Sequence, residues 1–245
     1  MKNKNKNKEV YYKVKIIIIG NSGVGKTNIF YRFINGEFTN DIENTMCIDF
    51  RYYNIKIENK IFSLQLWDTA GSEEYKSITK SYYSNAACCI FAYSISDEDS
   101  FKSINEWFEN FKNFSNPNIV LILVGNKNDL NDMRIIDEEK GKVLASQFGM
   151  EFFECSAKTG YNINEIFKKA CERINENINN NLYDFENGEN CVKKINLVNE
   201  DLKPNKIFSL EEVNDKEYKS NKNNKSNKSN KSNKSNKSKK KKKSC

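Results

Sequence analysis

Histidine is absent from the 245 residues and proline occurs only twice. No apolar run reaches the roughly 18 residues that a membrane-spanning helix requires. Without histidine, Ser/His/Asp and Cys/His nucleophile systems are excluded, as is every histidine-ligated zinc site. Seven cysteines are present (Cys47, Cys88, Cys89, Cys155, Cys171, Cys191 and Cys245), an odd number with no CxxC pair. No apolar signal segment precedes Val10, so free thiols in a reducing compartment are expected. The chain reads as soluble unless it is anchored covalently.

Acidic residues are absent from Tyr218 to Cys245, where twelve lysines stand, and Met1–Lys8 holds four more. The whole chain is +7, yet Glu9–Glu217 carries 24 basic residues against all 33 acids, a net charge of −9. A mildly acidic body with basic ends argues against a nucleic-acid surface spread over the body. Residues 1–9 form a polar arm. From Asn179 onward Asn dominates, and a Lys-Ser-Asn repeat leads to Lys239–Lys243, Ser244 and Cys245. Such composition buries too little apolar area to offset ordering costs of about 1–2 kcal/mol per residue. The expected division is therefore arm 1–9, domain 10–178 and disordered tail 179–245.

Within the domain, apolar and helical patterns alternate. Val14–Ile19 reads as a buried strand and Lys26–Ile34 as a helix. Cys47–Ile57 and Ile61–Asp68 are too closely joined for a crossover, so they pair antiparallel. Strands are expected at Ala86–Ser94, Ile119–Gly125 and Glu151–Cys155. Helices are expected at about Ser100–Phe114, Asp137–Phe148 and Ile163–Ile178. This is an α/β pattern: a six-stranded, mostly parallel sheet with one antiparallel strand and helices on both faces, its ligands bound at the carboxyl ends of the strands.

Gly20-Asn21-Ser22-Gly23-Val24-Gly25-Lys26-Thr27 fits GxxxxGKT between a strand and a helix, which makes the fold a three-layer P-loop NTPase fold. Its glycines let backbone N–H groups converge on a phosphate, and the helix adds its positive N-terminal end. Lys26 would reach the β/γ-phosphates and Thr27 would bind Mg²⁺. Leu66-Trp67-Asp68-Thr69-Ala70-Gly71 places an acid for Mg²⁺ at another strand end, and the Gly71 N–H could meet a γ-phosphate. Asn126-Lys127-Asn128-Asp129 follows the next strand, where a carboxylate can accept two hydrogen bonds from a guanine edge that adenine cannot supply. Ser156-Ala157-Lys158 can offer a backbone N–H to the guanine carbonyl. The ordered set favours GTP over ATP and disfavours a P-loop kinase or ATPase.

These motifs, with Ile48-Asp49-Phe50, Leu64-Gln65-Leu66-Trp67, Tyr82-Tyr83 and a tail ending in cysteine, make residues 12–178 resemble a Ras-superfamily GTPase, most closely the Rab family. The resemblance implies a GTP/GDP switch, a hydrolase that regulates vesicle and protein transport on membranes. Its nucleotide would rest on Gly20 to Thr27, Asn28, Phe38, Asn126, Lys127, Asp129, Ser156, Ala157 and Lys158. Thr45 matches the first switch threonine, which joins Thr27 and Asp68 around Mg²⁺ in the GTP state. Lys26, Thr45, Gly71 and Ser72 would serve hydrolysis. Implied partners are a guanine nucleotide exchange factor, a GTPase-activating protein, a GDP-dissociation inhibitor, an escort protein and effectors. The implied location is cytoplasmic, peripheral on the cytosolic face of intracellular membranes.

Several positions depart from the family pattern. Ser72 stands where glutamine normally orients the attacking water, so slow intrinsic hydrolysis is expected, with a non-cycling GTP-bound membrane scaffold as the alternative. Cys47, Glu74 and Ser84-Asn85 also differ, which bears on partners rather than nucleotide. At the terminus, Cys245 follows Ser244 instead of a second cysteine. The resemblance implies prenylation of Cys245, with the lysine run as the second membrane signal that a single lipid requires. Aromatics do not interleave the tail lysines, so nucleic-acid binding is disfavoured. Cys88, Cys89, Cys155 and Cys171 read as buried packing, as do Phe101, Trp107, Phe108 and Phe111.

Overall fold

The computed structural model describes residues 9–39, 49–68, 83–185, 191–195 and 208–209. The first strand, β1, runs Val10–Ile19 and leads through the glycine loop to α1, Lys26–Asn35. β2, Asp49–Ile57, turns at Glu58-Asn59 into β3, Lys60–Asp68, its antiparallel partner. β4, Cys88–Ser94, is followed by two short helices, α2 (Glu98–Lys102) and α3 (Ile104–Lys112). The single helix expected there is broken at Ser103. β5, Val120–Asn126, precedes a 3₁₀ segment at Asn128–Met133, and α4 spans Glu138–Gln147. β6, Glu151–Glu154, and α5, Ile163–Asn179, complete the expected alternation.

The sheet order is β6-β5-β4-β1-β3-β2, with β1 parallel to both β3 and β4. The observed fold class is therefore the expected one. Alternate residues of β1 explain the two-sided core. Val14, Ile16 and Ile18 enter one hydrophobic cluster with Phe30 and Phe33 of α1 and Phe167 of α5. Ile17 and Ile19 enter the other, with Trp107 and Phe111 of α3 and Leu144 of α4. The Phe33 and Phe167 rings stack 3.9 Å apart, joining α1 to α5 across the first face. Cys88, Cys89, Cys155 and Cys171 are buried, and desolvation raises each thiol's pKa, as the packing role requires.

The structure departs from expectation after α5. β4 pairs only with Ile16–Ile19, leaving the first half of β1 open on that side. β7, Val192–Ile195, fills this edge in antiparallel register, Tyr11 opposite Ile195 and Val14 opposite Val192. Tyr183, Cys191 and Val192 are buried in the first cluster, and Phe185 lies 5.8 Å from the Tyr12 ring. A few apolar side chains in an Asn-rich stretch suffice to hold it on the domain. Residues 183–185 and 191–195 therefore form part of the domain where the expectation had disordered tail. β8, Phe208–Ser209, pairs parallel with Ile55-Lys56 of β2. The Lys-Ser-Asn repeat and Cys245 lie outside the described residues.

Candidate functional site

The glycine loop is shaped by contacts that exclude side chains. Gly20 has φ +144°, and a Cβ there would meet the Ala92 carbonyl oxygen at 2.1 Å. Gly25 has φ +93°, and a Cβ would fall 2.5 Å from the Asn126 amide nitrogen. The loop must therefore run close against β4 and β5 with bare backbone. Lys26 is buried at its far end, and Nζ donates to the carbonyls of Gly20 and Asn21, each at 2.9 Å. Burial lowers its pKa to about 8, against the opposing pull of Asp68.

β1 and β3 run in parallel register with Ile18 beside Asp68, which brings the end of β3 to the base of the loop. Thr27 Oγ1 donates to Asp68 Oδ2 at 2.6 Å. Hydroxyl and carboxylate oxygens are hard donors suited to Mg²⁺. With the glycine cradle and the buried ammonium beside them, the residues present fit a Mg²⁺-nucleotide.

A second group of loops meets the first through Asn126. Its Nδ2 donates to the Val24 carbonyl at 2.8 Å, and its Oδ1 accepts from the Ala157 N–H at 3.2 Å. One buried amide thus joins the phosphate loop to both of the later motifs. Lys127 adopts a left-handed φ of 66°, which turns the chain into the 3₁₀ segment carrying Asp129. Asp129 Oδ1 accepts from Ser156 Oγ at 2.6 Å, and Lys158 Nζ stands 3.7 Å from Oδ2. The Thr159 N–H in turn donates to Ser156 Oγ at 3.1 Å. Phe38 is partly buried against the first hydrophobic cluster. Ser22 and Gly23 are exposed at the loop's outer edge. Thr45, Gly71, Ser72 and Cys245 lie outside the described residues.

Three supporting residues escaped the motif reading. Asn21 accepts from Trp107 Nε1 at 2.8 Å and donates to Ser103 Oγ at 3.1 Å, tying the loop to the break between α2 and α3. Trp107, expected only as packing, therefore also holds the phosphate loop. Arg32 of α1 donates from Nε to the Ala157 carbonyl at 2.8 Å and from a terminal nitrogen to the Lys158 carbonyl. Glu154 accepts a two-pronged contact from Arg134 at 2.6 and 2.8 Å and a third bond from Asn128 at 2.6 Å. These contacts span 20 to 126 positions in the chain, so local spacing carried no signal for them.

On the β2–β3 surface, Phe50 and Tyr52 are about half exposed. Phe50 stacks 5.4 Å from Trp67, and Lys15 Nζ sits 4.4 Å over the Trp67 ring.

A phosphate loop at the end of the central strand, an acid and hydroxyl beside it, and two further loops joined to it by one buried amide define an α/β nucleotide-binding domain. A model of the Ras family matches residues 15–176. The Ras-related protein Rab-3A of Homo sapiens is 41% identical over 171 residues, which cover 68% of this chain and 78% of that protein. Rab-3 of Caenorhabditis elegans is 42% identical over 163 residues, 66% and 74% of the two chains. RABA6b of Arabidopsis thaliana is 41% identical over 168 residues, 69% and 73%. The chain belongs to the Ras family, as a small GTPase of the Rab type. It is a GTPase and a GTP-binding switch of vesicle traffic, a class that works through regulators and effectors.

Proposed function

We propose that this end of the sheet binds GTP and GDP with Mg²⁺ and that the protein turns GTP over slowly. The observation that carries the binding mode is the Asn126 junction, which joins the loop of the buried Lys26 to the Asp129, Ser156 and Ala157 group. In this reading Lys26 exchanges its two loop carbonyls for phosphate oxygens, and the inward-facing backbone of Gly20–Gly25 supplies further donors. Asp129 accepts from the guanine edge, the Ala157 N–H faces the guanine carbonyl, and Lys127 and Phe38 flank the ring. Asn28 follows Thr27 at the first turn of α1 and would join the nucleotide contacts there. Bound through Thr27, Thr45 and Asp68, Mg²⁺ would neutralise developing phosphate charge.

Slow turnover is argued from Ser72. A serine side chain is too short to orient a water as the usual glutamine does, so hydrolysis would rely on groups supplied by an activating partner, Gly71 being left to hold the γ-phosphate. Such a contribution in trans is worth about 10³–10⁵ in rate. Single-turnover hydrolysis of wild type and Ser72→Gln tests this. A rise of tenfold or more in the variant is expected, and equal rates would sink the idea. A wild type with no turnover even beside an activating protein would instead favour the scaffold alternative.

Peripheral attachment to intracellular membranes completes the reading. Among the described residues no helix is long and apolar enough to cross a bilayer. A prenyl group on Cys245 with Lys239–Lys243 beside it would supply the lipid and charge signals together, delivered by an escort protein and withdrawn by a dissociation inhibitor. The half-exposed Phe50 and Tyr52, with the partly buried Trp67 stacked on Phe50, are offered as the effector surface, adjoining in sequence the segments that change with nucleotide.

A further inference from the structure

The helix α1 holds Lys26 and Thr27 at its start and Arg32 near its end. The partly buried Arg32 guanidinium directs every one of its hydrogen bonds at a main-chain carbonyl. Nε donates to the Ala157 carbonyl at 2.8 Å, one terminal nitrogen to the Gly36 carbonyl at 2.8 Å, and the other to the Lys158 carbonyl. Among the described residues no carboxylate pairs with it. What suits arginine to this place is therefore its fork. A lysine ammonium is a point charge on a flexible stem and has no rigid fork to fit successive carbonyls.

Two of the three carbonyls belong to the turn Ser156-Ala157-Lys158. Backbone bonds fix the start of that turn: the Gly160 N–H donates to the Ser156 carbonyl at 2.8 Å, and the Ser156 N–H to the Tyr161 carbonyl at 3.0 Å. Among the described residues only Arg32 holds the carbonyls of Ala157 and Lys158. In a trans peptide the C=O and the following N–H point in opposite directions. With the Ala157 carbonyl drawn to α1, the Lys158 N–H is aimed away from the helix, and among the described residues it has no acceptor. The Ala157 N–H beside it already donates to Asn126 Oδ1 at 3.2 Å. The third carbonyl, that of Gly36, ends α1 two residues before Phe38, and the Gly36 N–H returns a 2.8 Å bond to the Arg32 carbonyl.

We infer that Arg32 is a positioning residue for guanine selectivity: by gripping the Ala157 and Lys158 carbonyls it aims the N–H groups of that turn at the guanine carbonyl. The inference rests on the guanine reading above and adds to it the side chain that holds the carbonyl-reading turn in place. A plain staple between α1 and the turn would use the same contacts. The two roles differ in what they do to selectivity. Misaiming a donor weakens only those nucleotides that present a carbonyl to it, whereas loosening a staple weakens every nucleotide alike. The Gly36 N–H keeps its bond to the residue-32 carbonyl in any variant, and Phe38 stays packed on the first cluster, so the flank of the ring should change little.

The test is calorimetry on the full chain with Mg²⁺ and three diphosphates. GDP presents both the carbonyl and the amine, inosine diphosphate keeps the carbonyl but lacks the amine, and 2-aminopurine riboside diphosphate keeps the amine but lacks the carbonyl. Wild type should bind GDP at least about tenfold more tightly than the 2-aminopurine nucleotide. Arg32→Ala should weaken GDP and inosine diphosphate alike, by about ten- to thirtyfold, and the 2-aminopurine nucleotide by less than about threefold. Arg32→Lys keeps the charge and the stem but not the fork, and should show the same selective loss, at least about fivefold for GDP. The ratio between nucleotides is read on folded protein, so a loss of stability alone does not move it. Equal loss for all three nucleotides overturns the inference and leaves Arg32 a staple. GDP binding within about twofold of wild type in both variants overturns it as well. A wild type that does not prefer GDP to the 2-aminopurine nucleotide overturns the guanine reading itself, and the inference with it, before any variant is made.

Discussion

The two ends of the central strand are built differently. At the carboxyl end of β1, polar groups hold one another in place: Lys26 rests on two carbonyls, Thr27 on Asp68, and Ser156 on Asp129. At the opposite end the chain is closed by apolar and backbone contacts, with Tyr183 and Val192 buried and β7 hydrogen-bonded along β1. A binding end must be polar and must already be ordered, because ordering it on binding would subtract from affinity. The closing end needs only to be stable. Binding and stability should therefore separate under mutation.

The largest expected effect on one end alone is that of Asp129→Ala. Two charge-assisted hydrogen bonds to guanine would be lost, at about 1.5–3 kcal/mol each, so GTP and GDP should bind roughly 10²–10⁴-fold more weakly by calorimetry. The melting temperature of the nucleotide-free chain should move little.

Tyr183→Ala should do the reverse. Its ring is buried, and its hydroxyl lies 3.3 Å from the Asn118 carbonyl and 3.2 Å from Asn177 Nδ2. Removing it should cost about 3–5 kcal/mol in urea unfolding, while GDP affinity of the folded chain stays within about twofold. A coupled loss of affinity would show that the two ends are not independent.

A smaller effect follows from Lys26. Its pKa in the empty site is lowered to about 8 by burial, and phosphate favours the ammonium. Binding then takes up a proton above pH 8, so affinity is fully present below that pH and falls as pH rises through it. The same depressed pKa makes the empty domain itself gain stability with rising pH over this window. GDP affinity should drop about fivefold from pH 8 to pH 9, and Lys26→Arg, charged throughout, should show a flatter profile.

The contrast between the ends also explains what could be read from sequence. The phosphate loop, Asp68, Asn126–Asp129 and Ser156–Lys158 were legible because each chemistry needs particular residues at short spacing after a strand. The six-strand alternation was legible for the same local reason, through β-branched runs and amphipathic helices. Arg32, Glu154 and the Asn21–Trp107 bond were not, since their partners are distant in sequence and any polar residue would have looked alike. β7 was hidden by its surroundings. Val192 and Ile195 flank two lysines in an Asn-rich stretch, and only the open edge left by β4 gives them a partner. Composition averaged over residues 179–245 pointed to disorder and concealed the short segments that pack.

The central claim is that the carboxyl end of the sheet is assembled for guanine nucleotide. Competition against a fluorescent GDP analogue bound to the wild-type chain tests it most directly. The account predicts that GTP displaces the analogue at near-equal concentration and that ATP fails even at about a thousandfold excess. Equal displacement by ATP would contradict it.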